Sequence, residues 1–285
     1  MRKFVITALL ATSAIACNSA HDPANAENHH EMPSAEDALA KVLAADIREG
    51  DKARDQYRHP AETLAFFQVE PGQTVAEYAP GGGWYTRVLA PYVIDHGSYI
   101  ALGVSPSSSA PEAERMAAME KFAAETPASV EEETGIDAEK IHAFTPASAP
   151  AEWNGKVDRI LIFRMMHNLM RRGLAAGEIA AMKTLLKPDG MIGIVQHRAK
   201  ADAPADYVDG NKGYLKQDDI IAFMDEQGFE LVGASEINAN PKDSADWPNG
   251  VWTLPPTLRL KDQDRAKYEA IGESDRMTLL FRKKA

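Results

Sequence analysis

Residues 74–92 read TVAEYAPGGGWYTRVLAPY, and this stretch decides the fold. The apolar segment from Val75 to Ala79 is typical of a buried strand, and an apolar helix is predicted from Trp84 to about Tyr92. The run Gly81-Gly82-Gly83 joins the two. Glycines at such a turn let the backbone approach a ligand and expose free amides at the start of the helix. Because ligands of open α/β sheets bind beyond the carboxyl ends of the strands, this turn predicts a binding site.

Helix and strand patterns alternate along the chain on both sides of this turn. Further strands are predicted over residues 98–104, 140–144, 157–163, 191–196, 229–234 and 277–282. Helices are predicted over residues 34–50, from Pro60, and over 111–125, 175–186 and 217–227. This alternation predicts a doubly wound, Rossmann-like α/β sheet in a single domain over residues 35–285. Residues 235–258 form a long irregular loop whose tryptophans should pack on the domain.

The charge and cysteine content exclude several classes of protein. The chain has 285 residues, with 31 Lys and Arg against 42 Asp and Glu, and a net charge of −11. A chain with this negative charge repels nucleic acid and anionic lipid, so it is unsuited to binding either through general surface electrostatics. Its one cysteine, Cys17, excludes an internal disulfide and a cysteine-based zinc site. We therefore expect a small-molecule ligand and no nucleic-acid partner.

The N-terminus has the pattern of an export signal. Arg2 and Lys3 precede the short apolar stretch 4–16, which is too short to span a membrane. Cys17 follows directly, at the place of the acylated cysteine of a lipoprotein signal; ordinary cleavage just before Cys17 is the alternative. The polar residues 18–34 predict a flexible tether. The pattern predicts export to the periplasm or envelope, with membrane contact only through a lipid on Cys17.

The glycine turn does not fit the dinucleotide-binding fingerprint, because the three required glycines would fall at Ala79, Gly81 and Trp84. Its spacing instead resembles motif I of class I S-adenosylmethionine-dependent methyltransferases. Glu77 matches the acidic position of that motif, and Gly81 and Gly83 match its second and third glycines. Ala79 departs from it at the first glycine.

Other segments extend the resemblance over about residues 60–283. The chain is similar in particular to a group of predicted methyltransferases of bacterial envelopes, through residues 80–86, 166–168, 197–199, 235–256 and 271–277. The resemblance implies a seven-strand sheet with an antiparallel last strand, S-adenosylmethionine as cofactor and a small-molecule substrate. It assigns cofactor binding to Glu77, Gly81, Gly82 and Gly83.

One departure concerns the cofactor's ribose. Most of the family has an acidic residue at the end of strand two, whereas residues 101–105 of this chain contain no carboxylate. Losing such a charged hydrogen bond costs about 1.5–3 kcal/mol, or roughly tenfold to a hundredfold in affinity.

Two histidines follow neighbouring predicted strands. His167 comes after the fourth strand and His197 after the fifth, so both should lie at the carboxyl edge of the sheet. A histidine there can accept the substrate proton that O- or N-methylation releases. The pair also admits a metal site with Glu77 or Asp243 as third ligand, or a purely structural role.

The remaining candidates are weighed by position. Arg198 is a candidate for an anionic substrate or the cofactor carboxylate, with a structural salt bridge as the alternative. Trp252, in the long loop, is a candidate for the substrate side of the site. The charged segment from Gly272 to Arg276 is interpreted as a structural turn.

Two functions follow from these observations. The glycine turn with Glu77 favours a small-molecule methyltransferase. The missing strand-two carboxylate and the export signal favour a repurposed module on the same fold, which would bind a metabolite or a metal.

Overall fold

The computed structural model of the chain describes residues 34–284. The predicted export signal, Cys17 and nearly all of the tether over 18–34 lie outside the described residues. Among the described helices, none has the length and apolar character needed to cross a membrane.

Within residues 34–284, seven strands form one sheet in the order β3-β2-β1-β4-β5-β7-β6. Their bounds are β1 Thr74–Tyr78, β2 Ser98–Leu102, β3 His142–Phe144, β4 Val157–Phe163, β5 Leu186–His197, β6 Phe229–Ser235 and β7 Arg276–Lys283. Neighbours among β1 to β5 pair in parallel, whereas β7 runs antiparallel to both β5 and β6. The predicted fold class, a seven-strand doubly wound sheet with an antiparallel last strand as in class I methyltransferases, is confirmed.

The parallel register brings the ends of distant segments to one edge. Tyr78, the last residue of β1, pairs with Leu102 of β2 and with Ile162 of β4. Phe163 of β4 in turn pairs with Val195 of β5. The residues that follow each strand therefore lie side by side along the carboxyl edge, where an open α/β sheet binds its ligands.

Nine α-helices occur within the described part of the chain. They are α1 Ala35–Ala44, α2 Asp55–Arg58, α3 Pro60–Phe66, α4 Thr86–Val93, α5 Glu112–Thr134, α6 Met166–Arg171, α7 Ala175–Leu185, α8 Gln217–Glu226 and α9 Arg265–Ile271. Apolar side chains on the two faces of the sheet form two separate buried clusters. This layering is what the near-continuous apolar composition of β4 predicts for a strand covered on both sides.

Two predicted helix ends differ from the structure. The helix predicted up to Gly50 ends at Ala44, and Ile47 lies exposed in a separate 3-10 turn. The helix predicted over 111–125 continues to Thr134 and ends at Gly135, which adopts a left-handed conformation. Proline at position 127 does not stop this helix, although a proline in a helix interior usually does.

Residues 235–264, which we call the cover loop, form a third apolar cluster outside the sheet. Trp247, Val251 and Leu254 are buried there against Tyr214 and Tyr268.

A buried carboxylate organises the cover loop. Asp243 accepts hydrogen bonds from Tyr214 Oη (2.9 Å), Trp247 Nε1 (2.8 Å) and the backbone amides of Ala245 and Asp275 (2.8 Å each). Because each of these bonds pairs a buried polar group, the loop holds a defined conformation against the domain.

Candidate functional site

Two adjoining cavities lie at the carboxyl edge of the sheet. The glycine cavity, of about 380 Å³, is lined by the turn after β1 and by Glu77. The histidine cavity, of about 310 Å³, is lined by His167, His197 and part of the cover loop. Both cavities share three lining residues, Arg54, Arg58 and Arg164. The arginines thus form the junction of two adjoining cavities, which together make up the cleft described here.

The glycine turn reverses the chain between β1 and α4 through several left-handed residues. Gly81 has φ 63° and Gly83 φ 71°, and Ala79 adopts φ 53° although it carries a side chain. Gly81 and Gly82 line the glycine cavity, and a Cβ at Gly82 would meet open space. Gly83 does not line it: a Cβ there would collide with the carboxylate of Glu133 on α5. Gly83 is therefore favoured by its left-handed conformation, and among the three glycines only Gly81 and Gly82 line the cavity.

Glu77 is the buried acid of the glycine cavity. Its Oε2 accepts hydrogen bonds from Thr86 Oγ1 and Tyr99 Oη, each 2.7 Å long. Among residues 34–284, no hydrogen bond reaches its Oε1. Burial raises the pKa of Glu77 to about 7, although both hydroxyl donors oppose that shift. The carboxylate thus has one oxygen held by the protein and one left for a positively charged or hydrogen-bonding ligand.

The end of β2 holds no side-chain carboxylate of its own. Glu178 of α7 is a buried acid that reaches the residues after it, and its Oε1 accepts a hydrogen bond of 3.2 Å from the backbone amide of Ser105. A Cβ at Gly103 would lie 2.9 Å from the Phe122 ring of α5, so that helix packs closely on this strand end. One oxygen of Glu178 is thus engaged with the chain's own backbone, and within residues 34–284 its Oε2 has no hydrogen-bond partner.

His167 and His197 are brought together, as their predicted positions after the fourth and fifth strands imply, although His197 is the last residue of β5 and not the first after it. Their ring centroids lie 5.7 Å apart, and both side chains line the histidine cavity. Burial lowers the pKa of His167 to about 4. It also lowers the pKa of His197 well below its usual range, with a contribution from neighbouring cations. Both imidazoles are therefore neutral at pH 7, and each has a ring nitrogen free of a proton, although their low pKa values make them weak bases.

The two histidines have different partners. His197 Nδ1 forms a 2.6 Å hydrogen bond with Ser274 Oγ, whereas His167 Nδ1 is 3.4 Å from the side-chain amide of Gln196. The short bond fixes the His197 ring and leaves Nε2 as its available nitrogen. The geometry therefore favours His197 over His167 as a proton acceptor.

The cover loop closes the histidine cavity. Trp252 lies edge-on to His167, with ring centroids 6.0 Å apart, and Val251, Pro255 and Pro256 continue the same wall. The structure thus places Trp252 with the histidines. An apolar wall facing two neutral imidazoles suits the organic part of a small ligand.

Arg198 lies outside both cavities. Its guanidinium forms ion pairs with Glu236 (2.7 Å) and Asp275 (3.0 Å). These partners occupy its donors and raise its pKa. The structure therefore places the predicted substrate-binding arginine in the alternative role, a salt bridge that ties the cover loop to β7.

The third metal ligands considered from the sequence lie in other networks. Asp243 is occupied by four donors inside the cover loop, and Glu77 lies in the glycine cavity with Thr86 and Tyr99. Across the part of the chain that the structure describes, no group of three or more His, Cys, Asp or Glu side chains is placed to hold a metal.

Sequence reasoning missed several residues of the cleft. Arg54 and Arg58 come from the segment before α3, and Arg164 directly follows β4 at the edge that holds the histidines. Because residues that directly follow a parallel strand lie at the ligand-binding edge, the sequence position of Arg164 could have identified it as a site residue. Glu273 and Ser274 line the histidine cavity, although their segment is interpreted from sequence as a structural turn. The antiparallel pairing of Arg276 with His197 is what brings them there.

No protein-family model and no curated protein matches this chain. Similar solved structures include an S-adenosylmethionine-dependent methyltransferase from Aquifex aeolicus, with 16% identity over 70% of this chain and 93% of that chain (TM-score 0.46). Another is an S-adenosylmethionine-dependent methyltransferase from Geobacter sulfurreducens in complex with S-adenosylhomocysteine, with 16% identity over 86% of this chain and 98% of that chain (TM-score 0.42). The 1,6-didemethyltoxoflavin-N1-methyltransferase from Burkholderia thailandensis is 12% identical over 87% of each chain (TM-score 0.45). Likeness at this level concerns the fold and does not extend to the ligands.

Proposed function

We propose that this chain is an S-adenosylmethionine-dependent methyltransferase that acts on a small molecule. One observation carries the proposal: Glu77 and the turn at Gly81 and Gly82 line a cavity that shares a wall of arginines with the cavity of two neutral histidines. A cofactor side and a proton-accepting side thus adjoin in one cleft. The strand order around this cleft is consistent with that role.

The residues of the glycine cavity fit the amino-acid end of the cofactor. The free Oε1 of Glu77 suits an ammonium group, and the backbone amides at Gly81 and Gly82 suit an anionic or polar group. S-adenosylmethionine supplies an electrophilic methyl group when bound. No carboxylate among residues 101–105 is available for the ribose, so we expect weaker binding than in most of the family.

His197 is the base in this proposal. Methylation of an oxygen or nitrogen releases a proton from the acceptor atom, and Nε2 of His197 takes that proton. The hydrogen bond between Nδ1 and Ser274 Oγ orients the ring during this step. Trp252 excludes water on the opposite side of the cavity.

Calorimetric titration with S-adenosylhomocysteine tests the cofactor assignment. We expect micromolar or weaker binding to the wild type. Binding to Glu77→Gln should be roughly tenfold to a hundredfold weaker, because a charged hydrogen-bond partner is lost. Glu133→Gln is the matched control, since Glu133 lies on the outer side of the same turn and pairs with Arg87. Absence of binding to the wild type at millimolar ligand would rule out the methyltransferase assignment.

A second candidate, a ligand-binding module without catalysis, is favoured by the missing carboxylate after β2. Native mass spectrometry of the protein purified from its own envelope distinguishes the two. A bound metabolite unrelated to S-adenosylmethionine would favour the module, and S-adenosylhomocysteine would favour the enzyme.

We further propose that the chain is exported and anchored through a lipid on Cys17, as its N-terminal pattern predicts. Cys17→Ser should move the protein from the membrane to the soluble envelope fraction. A soluble wild type with an unmodified N-terminus would contradict the anchor.

A further inference from the structure

The junction of the two cavities holds an unbalanced cluster of buried charge. Glu273 accepts from Arg54 Nε (2.6 Å), Arg58 Nε (3.3 Å) and Arg276 Nη1 (3.0 Å). Arg164 lines the same junction. Three guanidinium groups therefore share one carboxylate, and Arg164 adds a fourth positive charge at the junction. A buried excess of positive charge is costly unless an anion joins it.

Arg58 is incompletely paired although it is buried. Its side chain is 2% exposed, and its Nη1 has no hydrogen-bond partner within residues 34–284. Its guanidinium stacks on Trp84 at 4.6 Å from the ring centroid, which fixes its plane. Burial, followed by repulsion from Arg164, lowers its pKa to about 8. A buried cation with an unused donor lies at the wall of the cleft.

Arg164 has still fewer partners. Its backbone is left-handed, with φ 57°, and this conformation follows directly after β4. Over residues 34–284, its guanidinium has neither a carboxylate within ion-pair distance nor a hydrogen bond. Burial and repulsion from Arg276 lower its pKa to about 10. A residue held in an unfavourable conformation with an unpaired charge in a cleft is a candidate for ligand binding.

We propose that Arg58 and Arg164 bind an oxyanion, a carboxylate or phosphate group carried by the substrate, on the histidine side of the junction. This inference rests on the proposed function and names the class of its substrate: a small organic acid. Guanidinium forks match both kinds of oxyanion with paired hydrogen bonds.

The distribution of acids places this oxyanion on the histidine side. The glycine cavity has its own carboxylates, Asp51 and Glu77, along its wall. Among residues 34–284, Glu273 is the only carboxylate lining the histidine cavity, and three arginines already share it. The lining charges leave the same positive excess in both cavities, but the glycine cavity presents the free Oε1 of Glu77, which repels an anion, whereas the acid of the histidine cavity is already neutralised. The apolar wall at Trp252 is left for the organic part of the acid.

Substrate binding would also prepare the base. Repulsion from His167, Arg164, Arg276 and Arg58 contributes to the low pKa of His197. A bound oxyanion offsets the three arginine charges and moves the pKa of His197 upward, towards the range in which a base accepts a proton effectively at neutral pH. A neutral substrate would not produce this change.

Thermal unfolding of the full chain tests the anion site, with inorganic phosphate and benzoate as probes. Each probe should raise Tm in a saturable manner. Arg164→Gln should bind each probe roughly tenfold to a hundredfold more weakly and, without a probe, should melt at or above the wild-type temperature because repulsion is relieved. Arg282→Gln is the matched control, since Arg282 is exposed and pairs with Glu230. Should Arg164→Gln fail to fold, Arg164→Lys retains the charge without the fork and should weaken binding partially.

Two results would overturn the inference. The first is an unchanged response of the Arg164 variants to both probes. The second is competition between phosphate and S-adenosylhomocysteine, which would assign the arginines to the cofactor; we expect phosphate to change the S-adenosylhomocysteine affinity by no more than about threefold. Failure of S-adenosylhomocysteine to bind would refute the proposed function only. The phosphate titration would then still decide whether Arg58 and Arg164 form an anion site.

Discussion

The two cavities of the cleft are built in different ways. The glycine cavity takes its turn, its buried acid and its helix start from the continuous stretch between Val75 and Arg87, and segments 51–58 and 163–165 complete its wall. The histidine cavity has no such continuous stretch and draws on separate segments around His167, His197, Trp252 and Glu273. The part of a site that lies in one local stretch can be recognised by spacing, whereas a part assembled by topology depends on which strand ends become neighbours.

Their electrostatics differ in the same way. The glycine cavity buries a carboxylate whose pKa rises to about 7, while the histidine cavity buries two bases whose pKa values fall. Arg58, at the junction of both cavities, also has a lowered pKa. Glu273 is the exception there, because the surrounding arginines lower its pKa to about 2 despite its burial. Burial in the glycine cavity thus favours the protonated, neutral form of Glu77. In the histidine cavity, the single ionised acid Glu273 pairs with several arginines.

The largest expected effect comes from removing that single acid. Glu273→Gln leaves Arg54, Arg58 and Arg276 without their shared carboxylate and should cost about 3–5 kcal/mol of unfolding free energy. In a domain of this size that corresponds to a fall in Tm of roughly 6–20 °C. Differential scanning calorimetry measures it.

The matched control for that variant is Glu230→Gln. Glu230 of β6 forms an exposed ion pair with Arg282, which lies on β7 as Arg276 does. Such exposed pairs contribute about 1 kcal/mol or less. Equal losses in the two variants would show that the histidine cavity does not depend on a buried acid.

The same contrast explains what the sequence predicts and what it does not. The strand order, the turn at Gly81 and the meeting of His167 with His197 follow from apolar runs and from the rule that parallel strands end at one edge. Arg58 and Glu273 are missed because their meeting requires contacts between residues 215 positions apart. The choice between the two roles considered for Arg198 is likewise beyond the sequence, since nothing local indicates that Glu236 and Asp275 will pair with it.

The next largest expected effect is the pH dependence of stability, to which Glu77 of the glycine cavity and His167 of the histidine cavity contribute with opposite signs. The pKa of Glu77 rises from 4.5 to about 7 on folding, so the folded state binds more protons in that window and stability falls as pH rises. The pKa of His167 falls from 6.5 to about 4, so the unfolded state binds more protons and stability rises with pH. Each contribution amounts to about 3 kcal/mol across its window, and in the wild type they oppose each other.

Urea unfolding between pH 4 and 7 resolves these contributions. Relative to the wild type, Glu77→Gln should gain about 3 kcal/mol in unfolding free energy as pH rises from 4.5 to 7, because the loss due to Glu77 is absent. His167→Gln should lose a similar amount, about 3 kcal/mol, between pH 4 and 6.5. Differences of the same sign in the two variants would contradict the opposed electrostatics of the cavities.

The smallest expected effect tests the local character of the glycine cavity. Ala79 stands where the motif has its first glycine, and its backbone keeps the left-handed conformation that glycine adopts freely, with φ 53°. That conformation costs a residue with a side chain roughly 1–2 kcal/mol, and glycine avoids this cost. Glycine also has a more flexible unfolded chain, which destabilises the folded state by about 0.5–1 kcal/mol and cancels part of the gain. Ala79→Gly should therefore stabilise the protein by about 0.5–1 kcal/mol. Ala101→Gly, in the buried interior of β2, should destabilise it by at least a similar amount. If both variants lost stability equally, the turn would owe its shape to its surroundings, and the difference between a locally encoded cavity and an assembled one would disappear.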